Sequence, residues 1–136
     1  MRAPKVLFVD DQPETLGGLA RLLNEEGIDV EMHNSVITLP LVVGGINPDV
    51  ILLDLSMPAL SGSALFKMGR RRLRTDAPVV LFSGRSADEL AKEAEALGAD
   101  GFITKSDESL DIISRIQSWI DQRRAVRAVT TKEAFA

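Results

Sequence analysis

Three short apolar runs dominate the chain: Lys5 to Val9 (KVLFV), Val50 to Leu55 (VILLDL) and Val79 to Phe82 (VVLF). They lack the polar alternation of a half-exposed strand, so they read as strands buried on both faces. Two weaker segments, Ile28 to Met32 and Phe102 with Ile103, read as further strands. Segments with helical spacing separate them, and strand and helix alternate five times. That pattern predicts an α/β domain: a five-stranded parallel sheet with helices on both faces and right-handed crossovers.

The helices carry local signals. Pro13 suits a first helical turn; Leu16, Leu19, Ala20 and Leu23 follow at helical spacing, and Gly27 is a stop. Pro40 is tolerable if Thr38 caps a short helix whose first turn holds Leu39 and Pro40. Residues 63–72 read as a third helix. Ser86 with Glu89 forms a capping box for a fourth, which ends before Gly98. A fifth starts near Asp107 with Ser106 as its N-cap, and Ile112, Ile113, Ile116 and Ile120 make one stripe. Trp119 lies roughly 60° off that stripe. The stripe fades after Arg124. The expected organisation is a domain over 1–122 and a tail or linker start over 123–136.

Composition closes several alternatives. The 136 residues suit one domain. With no cysteine, disulfides, thiolate metal sites and a cysteine nucleophile are excluded. No apolar run is long enough for a bilayer span and no signal-peptide pattern is present, so a cytoplasmic location is the expectation. A net charge of −4 carries no general nucleic-acid signal. Arg70, Arg71, Arg72 and Arg74 read as the solvated end of a helix and its loop. No GxGxxG or Walker-type loop follows a strand.

In a parallel sheet all strands end on one side, where ligand sites lie. Asp10 and Asp11 follow strand one, Asp54 lies near the end of strand three, Ser83 ends strand four and Lys105 follows strand five. Three carboxylates brought together repel one another unless a cation compensates them. An all-oxygen acidic cluster suits Mg²⁺ or Mn²⁺. A lysine adds a point charge for phosphate, and a carboxylate can attack phosphorus. Taken singly, Asp10 or Asp11 reads as a cap or turn residue, Lys105 as a surface lysine and Phe102 as core. Asp54, inside an apolar strand, is costly unless partnered.

These residues resemble the receiver domain of two-component response regulators over about residues 4–122. The matching motifs are VDD (9–11), DLSMPALSG (54–62), FSG (82–84) and FITK (102–105). The resemblance implies a flavodoxin-like sheet in the order 2-1-3-4-5, with Asp54 as phosphoacceptor. It makes Asp10, Asp11, Asp54 and the Ser56 backbone carbonyl the metal site, with Asp11 a direct ligand and Asp10 acting mainly through water. Lys105 becomes the phosphoryl contact, Ser83 the hydroxyl that moves onto the phosphoryl oxygens, and Phe102 the aromatic switch. It implies a sensor histidine kinase or phosphotransfer protein as donor. The chain would catalyse only its own phosphorylation and dephosphorylation. Output would pass through the face of the fourth helix, fifth strand and fifth helix, to a downstream protein, to an output domain of a longer chain, or into a phosphorylation-dependent dimer. No direct nucleic-acid or membrane contact is implied.

Ser106 stands where the family usually has a cis proline, and is expected to be trans. Gly84 replaces a commoner alanine. Ser56 and Arg85 occupy the positions that flank the water path to the phosphoryl group. His33 is expected at the surface without a role. Two other functions compete. One is a phosphorylation-independent interaction module of the same fold. The other is a metal-dependent phosphatase, disfavoured because its two acids should lie two residues apart rather than adjacent.

Overall fold

The computed structural model describes residues 2–55, 73 and 75–134. The expected third helix over 63–72, the loop with Met57, Pro58 and Gly62, and the basic cluster of Arg70, Arg71, Arg72 and Arg74 lie outside the described residues. The elements are β1 (Lys5–Val9), a 3₁₀ turn (Pro13–Leu16), α1 (Gly17–Glu25), β2 (Asp29–His33), α2 (Leu39–Ile46), β3 (Val50–Leu53), β4 (Val79–Ser83), α3 (Ala87–Leu97), β5 (Gly101–Thr104) and α4 (Ser109–Ala134). All five strands are parallel, in the order β2-β1-β3-β4-β5.

Strand alternation sorts the core into two layers. Leu7, Val9, Ile51, Leu53, Val79 and Leu81 face Leu39 and Val43 of α2 and Leu90 and Ala94 of α3. Val6, Phe8, Val50, Leu52, Val80, Phe82 and Ile103 face Leu23 of α1 and Ile112, Ile113, Ile116 and Ile120 of α4. A fully buried Leu or Ile contributes about 1.5–3 kcal/mol. These two layers therefore hold the sheet, and its polar rim is left free for chemistry.

Several local expectations meet the structure directly. Pro40 sits in the first turn of α2 with Thr38 as N-cap. The Thr38 hydroxyl does not cap, however; it pairs with His33 Nε2 at 2.8 Å, so half-buried His33 braces the loop after β2. Ser86 Oγ accepts the Glu89 N–H at 3.2 Å, as a capping box requires. Gly98 (φ +74°) ends α3 in the left-handed region. Ser106 does not cap the last helix, which begins at Ser109; its hydroxyl turns to Thr104, 2.8 Å away.

α4 is longer than its apolar stripe. It runs to Ala134, although Ala125 to Val129 are exposed. Its anchor is a buried ion cluster at the pole opposite the polar rim. Arg123, 5 % exposed at its side chain, reaches Asp49 at 2.9 Å and Asp76 at 2.7 Å. Asp49 also accepts the Lys5 N–H at 2.9 Å, so one carboxylate ties α4 to β1 and to the start of β3. At Asp76, burial pushes the carboxyl upward. The Arg123 hydrogen bond and the charges of Arg123 and Arg127 outweigh it and hold the group below its ordinary value. Trp119 lies against β5, where a Cβ on Gly101 would come 2.4 Å from its ring.

Candidate functional site

The carboxyl ends of β1, β3, β4 and β5 converge on one polar cluster. One oxygen of each of Asp10, Asp11 and Asp54 lies within 4.8 Å of the other two. Asp10 and Asp54 are 3 % and 5 % exposed, and Asp11 is open to solvent. Backbone pairing sets their positions: Asp10 N–H donates to the His33 carbonyl and Asp54 N–H to the Val9 carbonyl, both at 3.0 Å. Asp10 Oδ1 accepts the Gln12 N–H at 2.9 Å, which turns its carboxylate back over the strand end.

Lys105 reaches this cluster from β5. Its Nζ is 2.8 Å from Asp10 Oδ2 and 3.5 Å from Asp54 Oδ2. The ammonium also lies 5.5 Å from the centre of the Phe82 ring, a contact that helps hold the long side chain in place. No cis peptide bond occurs among the described residues, so the Lys105–Ser106 bond is trans as expected. The trans bond does not keep Lys105 from the acids.

Ser83 is fully buried, and its Oγ accepts the Arg85 N–H at 3.4 Å. Phe102 is half-buried against the α2–α3 core layer. The Arg115 guanidinium lies 5.8 Å from its ring and donates to its carbonyl at 2.8 Å. Arg85 is solvent-facing and 3.8 Å from Glu93. Ser56 lies outside the described residues. Gln12, Phe82 and Arg115 were not among the sequence candidates. A backbone amide carries no residue signal, Phe82 reads as plain core, and Arg115 meets Phe102 only after α4 folds back along β5.

The donor set is all oxygen, anionic and open on the Asp11 side. It fits a hard divalent cation, which accepts a few carboxylates and completes its shell with water.

A model of the response regulator receiver domain matches residues 6–117. The chain belongs to this family. Among its relatives is the transcriptional regulatory protein PrrA of Mycobacterium leprae, 30% identical over 98% of this chain and 57% of that protein. Another is the sensory transduction protein RegX3 of Mycolicibacterium smegmatis, 29% identical over 83% and 49%. The chain thus spans about half the length of the curated relatives it matches. The receiver domain of the Francisella response regulator 1452 superposes with a TM-score of 0.73 at 28% identity, covering 88% of this chain and 98% of that one. That of the TMAO respiratory system response regulator TorR gives 0.73 at 26%, with the same coverage. The two-component receiver fold and family expected from the motifs are therefore those observed. Among the described residues no helix is long and apolar enough to cross a membrane.

Proposed function

We propose that this receiver accepts a phosphoryl group on Asp54 from a phosphohistidine of a sensor kinase or phosphotransfer protein, with Mg²⁺ or Mn²⁺ as cofactor. The observation that carries this is the reach of Lys105 to both Asp10 and Asp54 across the strand ends. Lys105 sits where a phosphoryl oxygen on Asp54 would need a positive partner.

Asp54 supplies the attacking carboxylate oxygen. The P–N bond of the donor breaks as the aspartyl-phosphate forms, and the donor imidazole leaves. Asp10, Asp11, Asp54 and the Ser56 carbonyl would hold the cation, which when bound neutralises charge on the phosphoryl oxygens. Lys105 keeps its place through Phe82 and transfers its contact from Asp54 to the phosphoryl group. Ser83 leaves its buried position to donate to a phosphoryl oxygen, and Phe102 turns inward into the space released. The altered face of α3, β5 and α4 then carries the signal.

The receiver unit takes in residues 1–122 together with Arg123 and Arg124, whose pairing with Asp49 anchors the end of α4, and the remaining residues are its tail. A cytoplasmic location is part of the same reading. The name of PrrA, a transcriptional regulatory protein, favours an output linked to transcription. With a net charge of −4, that link runs through a further domain or a partner, or through a phosphorylation-dependent dimer, rather than through nucleic acid bound by this unit. The departure at Ser106 leaves Lys105 at the acids, which speaks against a phosphorylation-independent module.

The test is an intact-mass measurement after incubation with a small acyl phosphate. One phosphoryl group is expected, dependent on the metal and absent in Asp54→Asn. A label that persists in Asp54→Asn overturns the site assignment.

A further inference from the structure

Ser106 marks the chain's clearest departure from the family pattern, and its hydroxyl belongs to a directed chain of hydrogen bonds. Thr104 Oγ1 donates to the Arg85 carbonyl at 2.9 Å. Because its one proton is committed there, the 2.8 Å contact between Thr104 Oγ1 and Ser106 Oγ has Ser106 as donor. The Ser106 N–H adds a second donor to the same oxygen at 3.3 Å. Thr104 is 5 % exposed, so water is a poor substitute for its hydroxyl. In such a chain each bond polarises the next.

The receiving carbonyl belongs to the residue two positions after Ser83. The Arg85 N–H lies 3.4 Å from Ser83 Oγ, and the Lys105 N–H donates to the Ser83 carbonyl at 2.8 Å. The loop that holds the buried Ser83 is therefore stitched to the end of β5 once by backbone and once by side chain.

We propose that Thr104 and Ser106 form a hydroxyl strap that positions the loop carrying Ser83 and sets how readily it swings toward Asp54. Thr104 and Ser106 are positioning residues, acting through the Arg85 carbonyl. The proposal rests on the reading of Asp54 as phosphoacceptor and Ser83 as the hydroxyl that moves. Release of the strap frees the loop before any phosphoryl group arrives, so the competent arrangement is populated more often and uptake quickens.

Two readouts test this in the whole chain: amide hydrogen exchange by NMR without phosphorylation, and the rate of phosphoryl uptake from a small acyl phosphate at saturating Mg²⁺. Thr104→Val keeps the side-chain shape and removes the donor. Exchange at Gly84, Arg85 and Ser86 should rise about threefold to tenfold, the effect of one hydrogen bond, with β1 and β3 unchanged. Uptake should rise by a similar factor. Ser106→Ala should give a smaller step in the same direction, and Thr104→Ser should restore the parent values. Unchanged loop exchange in Thr104→Val overturns the strap. A freed loop with unchanged uptake overturns its link to phosphorylation. If Thr104→Val also speeds exchange in β1 and β3, its fold is weakened, and exposed Ser106 decides the matter by the same criteria. If the parent itself takes no label, the Asp54 reading fails, while loop exchange still judges the strap.

Discussion

At the scale of single residues, Lys105 and a metal ion compete for the same negative field. Its ammonium lies 2.8 Å from Asp10 and 3.5 Å from Asp54, partly open to water. Lys105→Ala should therefore move two properties in opposite directions. Mg²⁺ should bind about threefold to tenfold more tightly, the Coulomb effect of one partly screened charge. Phosphoryl uptake should slow about tenfold to a hundredfold, because a preorganised positive partner is lost where charge develops. Titration calorimetry and timed intact-mass sampling read the two effects, and a fall in both would show that Lys105 supports the acids rather than the phosphoryl group. Gly101 is constrained differently. A Cβ there would lie 2.4 Å from the ring of Trp119, the chain's one tryptophan. Gly101→Ala should cost about 1–3 kcal/mol of overpacking and change the tryptophan emission, while the acid cluster at the other end of β5 keeps its metal affinity. Urea unfolding followed by fluorescence checks both.

Among the elements, α4 depends on charges that its own apolar pattern does not announce. Arg123 is held by Asp49 at 2.9 Å and Asp76 at 2.7 Å. Arg123→Met should cost about 2–4 kcal/mol, since it leaves the Asp49 carboxylate buried with the Lys5 N–H and Arg124 as remaining partners. Asp76 adds a pH dependence of known sign. Its folded pKa is lowered, so its stabilising effect is present above the ordinary carboxylate range and disappears as pH falls through the depressed value. Asp76 is 66 % exposed, which keeps that effect below about 1 kcal/mol. The stability gap between the parent and Asp76→Asn should be greatest near neutrality and shrink as pH falls below the ordinary carboxylate range, as measured by urea unfolding across pH. These features also show where sequence reading stops. The strands were legible because burial on both faces leaves unbroken apolar runs, and the acid cluster because parallel strands must end together. Arg123 and Asp49 are 74 residues apart with no local pattern linking them. Residues 125–134 lack an apolar stripe, yet alanine and arginine favour helix, and the anchored turn before them provides the nucleus. Ser106 carried the signature of a cap and was drawn instead to Thr104, a choice only the folded β4–β5 edge can present.

For the molecule as a whole, the buried clamp and the exposed helix beyond it define where the receiver unit stops holding itself together. Arg123 and Arg124 both reach Asp49, whereas Ala125 to Val129 are exposed and Arg127 lies 3.8 Å from Oδ2 of Asp76. A chain ended after Arg124 retains every buried contact of α4 that the described residues show. It should unfold within about 1 kcal/mol of the full chain, the usual effect of surface changes and lost exposed pairs. A chain ended after Gln122 loses both arginines and leaves Asp49 buried with its Lys5 N–H. It should lose about 3–5 kcal/mol, a large part of what a domain of this size has. The same pair of truncations bears on signalling, because the clamp sits at the opposite pole of the sheet from Asp54 and the acid cluster is built without it. Both chains should bind Mg²⁺ and take one phosphoryl group at low temperature, where the shorter one is still folded. If the Gln122 truncation melts with the full chain, the ion cluster is a surface ornament of α4. If it stays folded but loses phosphoryl uptake, the two poles of the sheet are energetically coupled, and the clamp participates in the switch as well as in stability.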